Sequence, residues 1–370
     1  MSATERLEAL RSALQLEQRA EEQRWRTLRS EQSRAERVAR GLAVDDLDPI
    51  EEYWGLGGRL MLTLGRDGHS ISNAFSRGSL VELRPLREDT PVVLATIARR
   101  RNFELTLAFE RPPPEHVSHG RSFIELAPNS VTYRRAIANL DAVARMESGT
   151  DRRRRDIWFG EAAPRMETGA NGSASERLNP EQGSAWAGAL AAQDIYAIHG
   201  PPGTGKSTVL AEIMASEAKR ETTLLATASS NAAVDHLLEL ALRQGLRAVR
   251  VGHPARVSEA LQQHTLDYLI ETHHERAVVD ELRDEAYELM GYARRQRNQG
   301  RSKDRFGRAR DAKREARELL SRAQELEALV ARALLDEAQV ICATLSMLSG
   351  HVLRDRRFDL ALVDEATQAT

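Results

Sequence analysis

Sulfur chemistry is nearly absent, with one cysteine, Cys342, in 370 residues. A single thiol cannot build an intrachain disulfide framework, structural zinc bound by cysteines or an iron–sulfur cluster, and it suits a reducing compartment. Long apolar runs are missing as well. No stretch approaches the ~18 to 20 residues of a membrane-spanning helix, and the start MSATERLEAL mixes Glu and Arg where a secretory leader has a basic and then an apolar region. Both absences imply a cytoplasmic protein with no membrane partner. Nor does either charge dominate: 53 Lys and Arg against 55 Asp and Glu leave −2, so affinity for a polyanion must come from local basic surface. The chain does have 41% hydrophobic residues, enough to give two or three domains real cores.

Residues 4–40 contain neither Gly nor Pro and place Leu7, Leu10, Leu14, Leu28 and Val38 at roughly heptad spacing, with Gly41 as a stop. This predicts one long helix over 1–41. Glu17, Glu21, Arg24 and Glu31 fall on the same seam, which favours a helix lying along the protein body over a coiled-coil dimer. Across 42–130 the period becomes two. GRLMLTL, SLVELRP, PVVLATIARR, NFELTLAF and SFIELAP predict five strands, and their spacing between Gly, Asn and Pro signals suggests a small antiparallel β-barrel. Residues 131–178 read as a connecting helix followed by the linker GEAAPRMETGANGSASER. Within this span Arg152 to Arg155 are either solvated surface or a phosphate contact.

From 179 onward, strands alternate with helices. DIYAIHG, TTLLATAS, RAVRVG, QVICATL and LALVDEA predict strands, with helices from Lys206 and Asn231, so the fold class is α/β with a parallel sheet covered by helices. This part occupies 179–270 and 337–370. Between them, 271–336 predict a helical hairpin turning near RNQGRSK. From Arg294 to Arg317 there are eleven Lys or Arg against Asp304, Asp311 and Glu315, again either solvated or in contact with phosphate.

The sharpest chemical signal is HGPPGTGKST, which sets Gly200, Gly205, Lys206 and Ser207 in the G-x-x-x-x-G-K-[ST] spacing. In such a P-loop, formed here by Gly200, Pro201, Pro202, Gly203, Thr204 and Gly205, the glycines let backbone N–H groups turn inward around phosphates, and the helix begun by Lys206, Ser207 and Thr208 adds its dipole. Lys206 reaches the β and γ phosphates and Ser207 coordinates Mg²⁺. The apolar run LALV then delivers Asp364 and Glu365 to a strand tip. Asp364 is suited to hold Mg²⁺ through water, and Glu365 to orient the attacking water toward the γ-phosphate of ATP.

These segments together resemble the superfamily 1 (subgroup B) helicases of the nonsense-mediated-decay and immunoglobulin μ-binding type. The resemblance rests on LNPEQGSAW, GPPGTGKST, ATASSNAAVDHL, RVGHPARV, ICATLSMLSG and VDEATQA in that order, and on NSVTYRRAIANL upstream; it covers residues 40 to 370. It implies that the P-loop sheet is the first of two RecA-like motor domains, that the barrel is an accessory nucleic-acid clamp and that the hairpin is a stalk insertion. It implies ATP-driven 5′→3′ movement along single-stranded RNA or DNA. Gln182 matches the adenine-reading glutamine. Ser229, Ser230 and Asn231, with Thr344 beside them, would face the sugar–phosphate backbone, though the serines also suit turn or cap roles. Gln368 would couple nucleotide state to grip, or lie on the surface.

The family also needs a second RecA-like domain, which supplies arginines to the transferring phosphate. The sequence stops six residues after Asp364, so it is expected to be an N-terminal half that binds ATP, turns it over weakly, and needs that domain downstream or in trans. Two alternatives stay open: a nucleotide-gated nucleic-acid-binding module without motor activity, and an AAA-type ATPase, which shares GPPGTGK but leaves the barrel and Gln182 unexplained.

Overall fold

The computed structural model describes residues 2–368 except 56–58, 67–69, 77, 86–91, 110–112, 115–116, 118–119, 129, 168–176, 253, 299–302, 349 and 351. Contacts divide the chain into two compact units, Met1–Gly55 with Arg59–Thr222, and Thr223–Thr370.

In the first unit, α1 (Ala3–Glu31) opens on a capping box in which Ser2 and Glu5 satisfy each other's backbone N–H. The single helix expected over 1–41 is in fact two. Ser33 and Glu36 form a second capping box, Ser33 takes extended dihedrals, and α2 (Arg34–Ala39) starts afresh. A Ser-x-x-Glu pair inside a helical pattern offers the backbone this alternative partner, and apolar spacing does not register it. Near its end, α1 lies against the barrel through Arg29, whose guanidinium donates to Glu82 and Glu125 at 2.8 Å each.

The barrel is closed and has six strands where five were expected: β1 (Ala43–Gly55), β2 (Arg59–Gly65), β3 (Leu80–Pro85), β4 (Val93–Arg100), β5 (Glu104–Phe109) and β6 (Ser122–Leu126), in the order β1-β2-β5-β4-β3-β6. All pairs are antiparallel. β1 hid itself because AVDDLDPIEEYWG carries acids and a proline. Its register shifts between Pro49 and Glu51 and again between Val44 and Leu47, and Asp46 sits at φ +57°, so bulges absorb the residues that spoil alternation. Leu47, Leu62, Leu64, Phe75, Leu105, Leu107 and Ile124 fill the interior with almost no exposure. Each fully buried leucine of this kind contributes about 2 kcal/mol of transfer free energy.

Next come α3 (Ser130–Ala144) and α4 (Gly149–Trp158). The arginine run sits on α4 and is paired with carboxylates: Arg152 and Arg155 with Asp156, Arg154 with Asp151, Arg153 with Asp194. The near half of the expected linker is pinned. Arg165 donates to Asp194 from its backbone and its guanidinium, and Met166 bridges Ala192. These donors hold the Asp194 carboxyl well below the usual carboxylate range. The rest of that linker, 168–176, lies outside the described residues.

Two helices close the unit, α5 (Pro180–Ala191) and α6 (Lys206–Ala218), joined by a hydrogen bond from the Trp186 indole to Ser216 at 3.1 Å. The strand expected at DIYAI is absent: 195–200 have no ladder bonds, and Tyr196 is 42% exposed. A parallel strand exists only through its neighbours; these residues pack instead against α5, where a side chain on Gly188 would collide with the Tyr196 hydroxyl.

The second unit holds a parallel sheet in the order β10-β7-β9-β8, from β7 (Leu224–Ala228), β8 (Ala248–Val251), β9 (Val340–Thr344) and β10 (Leu360–Val363). β7, β8 and β9 are buried throughout, which is why they read as largely apolar runs, interrupted by Thr227, Arg250 and Thr344. Between β7 and β8 runs α7 (Asn231–Arg243), burying Val234, Leu237, Leu238 and Ala241 at helical spacing. After α8 (Leu266–Glu271) the chain forms the hairpin arms α9 (Arg276–Asn298) and α10 (Lys303–Glu337). Alanines 286, 293, 309, 312 and 316 let the arms approach closely, and Glu327 of α10 accepts from Arg276 and Arg283 of α9. Of the expected turn, 299–302 lie outside the described residues. No helix among the described residues is long and apolar enough to cross a membrane.

Candidate nucleotide and strand binding site

The P-loop lies in the first unit. Gly203 at φ +85° and Gly205 at φ +79° adopt the left-handed conformation that turns the chain tightly into α6. A side chain at Gly200 would come within 2.6 Å of the Thr204 hydroxyl. Gly205 is the N-cap, and no side chain caps α6, so the first-turn N–H groups of Lys206 and Ser207 are left for a ligand. Lys206 folds back on the loop, donating from Nζ to the Gly200 carbonyl at 2.7 Å and the Pro201 carbonyl at 3.3 Å. Both acceptors are neutral. A phosphate oxygen offers the ammonium a charged partner and a stronger bond. Pro201, Pro202, Gly203, Thr204 and Thr208 are exposed, Lys206 and Ser207 half-buried.

Gln182 is brought to this loop. Its Nε2 donates to the Thr204 carbonyl at 3.1 Å, while its Oε1 accepts from the Asn179 N–H at 3.1 Å in the capping box of α5. One donor and one acceptor position of the amide are thus occupied within the chain, leaving the second N–H and the second lone pair of the oxygen.

In the second unit, the carboxyl ends of the parallel strands carry the remaining candidates, the position where open α/β sheets bind ligands. Ala228 and Thr344 stand opposite each other in the ladder, so Ser229 and Ser230 leave β7 beside Thr344 at the end of β9. Ser229 and Ser230 are exposed, and the Ser230 hydroxyl caps α7 by accepting from the Ala233 N–H at 3.2 Å. Thr344 is 5% exposed and pairs with the Ser346 hydroxyl. At the tip of β10, the Asp364 N–H donates to the Thr227 carbonyl, and the Asp364 carboxylate accepts from the Glu365 N–H, both at 2.9 Å. Glu365 is exposed at φ +51°. Gln368 donates from its N–H to the Glu365 carbonyl and from Nε2 to the Glu365 carboxylate at 3.4 Å.

A family model described as AAA domain matches residues 177–370, more than half of the chain. The chain belongs to this family. Its relatives make it of the superfamily 1 nonsense-mediated-decay and immunoglobulin μ-binding helicase type. It is 29% identical to DNA-binding protein SMUBP-2 of Mesocricetus auratus over 96% of this chain and 37% of the relative. It is 29% identical to an uncharacterized ATP-dependent helicase of Methanocaldococcus jannaschii over 85% of this chain and 52% of the relative. Regulator of nonsense transcripts 1 of Caenorhabditis elegans is 35% identical over 47% of this chain and 14% of its own length. The chain spans at most about half the length of these relatives. The SMUBP-2 match takes in the barrel as well as the P-loop.

One group is missing from the candidate residues named from the sequence, although it opens the RVGHPARV segment. Arg250 of β8 has no exposed surface, and its guanidinium donates to Asp235 and Asn231 of α7. Two signals were available: an arginine inside the apolar strand AVRV, and an Asn and an Asp spaced i, i+4 on the face of α7 that must be buried.

Proposed function

We propose that the chain is the nucleotide-binding part of an ATP-dependent 5′→3′ helicase or translocase acting on single-stranded RNA or DNA. The observation that supports this most is the uncapped start of α6 behind GPPGTGK, with Lys206 bonded, among the described residues, to neutral carbonyls. Residues 179–270 and 337–370 would be the first RecA-like motor domain, 42–130 the accessory clamp and 271–336 the stalk. A RecA-like partner domain, downstream or in trans, would supply arginines to the transferring phosphate, which accords with the greater length of the relatives. The helicase reading is preferred to a general AAA-type ATPase because the relatives match the barrel region too.

Residues 200–208 bind the phosphates in this reading, Gln182 reads adenine, and Lys206 follows the charge that moves onto the γ-phosphate. Ser207 and Asp364 would each offer an oxygen donor of the kind Mg²⁺ takes, a hydroxyl and a carboxylate. Bound Mg²⁺ supplies neutralisation of charge on the β and γ phosphates. Glu365 orients the attacking water, and its bond to Gln368 gives a route from the chemistry to the strand contacts at Ser229, Ser230, Asn231 and Thr344. Lys206→Ala is expected to weaken binding of a fluorescent ATP analogue by at least about a hundredfold. Retained affinity would sink the P-loop assignment. Mg-ATP turnover with and without oligonucleotide then separates a motor from a nucleotide-gated binding module, which binds both ligands without stimulated turnover.

A further inference from the structure

A buried cation is costly unless every donor finds a partner. Each guanidinium nitrogen of Arg250 has a partner: Nε donates to Asp235 Oδ1 at 3.1 Å, Nη1 to the Val251 carbonyl at 2.7 Å, and Nη2 to Asn231 Oδ1 at 2.9 Å. Asp235 also accepts from the Ser258 N–H at 2.9 Å, so one guanidinium ties together β8, the first turns of α7 and the segment after β8. A guanidinium has five donors and no acceptor. It can therefore face only the oxygen end of the Asn231 amide. The nitrogen end, with its two donors, is turned away at the first residue of α7, next to the exposed Ser229 and Ser230. Among the described residues nothing accepts from it.

A purely structural ion pair needs Asp235 alone. The third bond helps to satisfy the buried cation and also settles which end of an amide is presented. Amide N–H groups suit phosphate oxygens; an amide oxygen would repel them. We infer that Arg250 is a positioning residue that presents the Asn231 amide nitrogen to the phosphate backbone of a bound single strand. The inference rests on the strand-binding reading above.

The test is a double-mutant cycle on this chain, read by fluorescence anisotropy with labelled oligouridine and oligodeoxythymidine of about twenty nucleotides. A lysine at 250 keeps the charge for Asp235, but its ammonium cannot reproduce the planar fork that also serves Asn231 and the Val251 carbonyl. Arg250→Lys and Asn231→Ala should each weaken strand binding about five- to tenfold, and the double variant should bind within about twofold of Asn231→Ala alone. Affinity for an ATP analogue should not change in any of them. Asn231→Asp guards against a folding defect, because its carboxylate still accepts from Arg250 and suits a helix start. It should keep the wild-type melting temperature and lose strand affinity at least about tenfold. Arg250→Lys binding like wild type, effects that multiply in the double variant, or Asn231→Asp with unchanged affinity would each overturn the inference. If wild-type protein bound neither oligonucleotide, the underlying reading would fall, and the inference with it.

Discussion

Two helices in this chain begin at the end of a glycine- or serine-bearing loop, and they begin differently. The start of α6 has glycines at positive φ, no side-chain cap and a lysine resting on neutral carbonyls. The start of α7 is completed from within, capped by the Ser230 hydroxyl and fastened through Asn231 to a buried arginine. The first leaves several strong donors converging on one place, which suits a compact, highly charged ligand held tightly. The second has the Ala233 N–H capped from within and offers a few fixed polar groups, which suits a backbone that must be gripped and released. An open helix start is a binding site, whereas a finished one is a platform.

Gly205→Ala attacks the open start and should have the larger effect. The new methyl group would lie 2.4 Å from Gln182 Nε2 at φ +79°, adding left-handed strain of about 1–2 kcal/mol to a steric clash. Nucleotide affinity should fall by at least about tenfold, while strand affinity without nucleotide holds, as titration with each ligand would reveal. An alanine enzyme that binds nucleotide normally would show that the geometry of this start is not what matters. Ser230→Ala probes the finished start and should act on stability first. Loss of the cap should cost about 1 kcal/mol in thermal or urea unfolding, with nucleotide affinity unaltered. No loss of stability would mean that α7 is held by its packing alone and that the contrast between the two starts is overstated.

Much of the architecture was legible where local pattern and tertiary demand coincide. The helix starts at Lys206 and Asn231, the buried runs of β7 and β9, the apolar run of β10 and the two hairpin arms each show a periodicity, an apolar run or a capping signal that needs no distant partner. The failures have a common physical cause. β1 is specified by its neighbours in a closed barrel, which tolerate its acids and Pro49 by bulging. DIYAI is apolar enough for a strand but forms none, because apolarity does not supply a ladder. Ser33 splits the first helix by offering the backbone a competing hydrogen bond. Within the candidate site, the P-loop glycines and the acidic pair stand out by spacing. Arg250 does not, since its significance depends on three acceptors brought together from β8 and α7.

The remaining question is whether the two helix starts communicate. The most direct measurement is the affinity of this chain for a labelled single-stranded oligonucleotide in the absence of nucleotide, with a non-hydrolysable ATP analogue and with ADP, all with Mg²⁺. A nucleotide-driven grip predicts that affinity with the ATP analogue and with ADP differ by at least about fivefold, the lower end of ordinary coupling between sites. Equal affinity in all three conditions would contradict it.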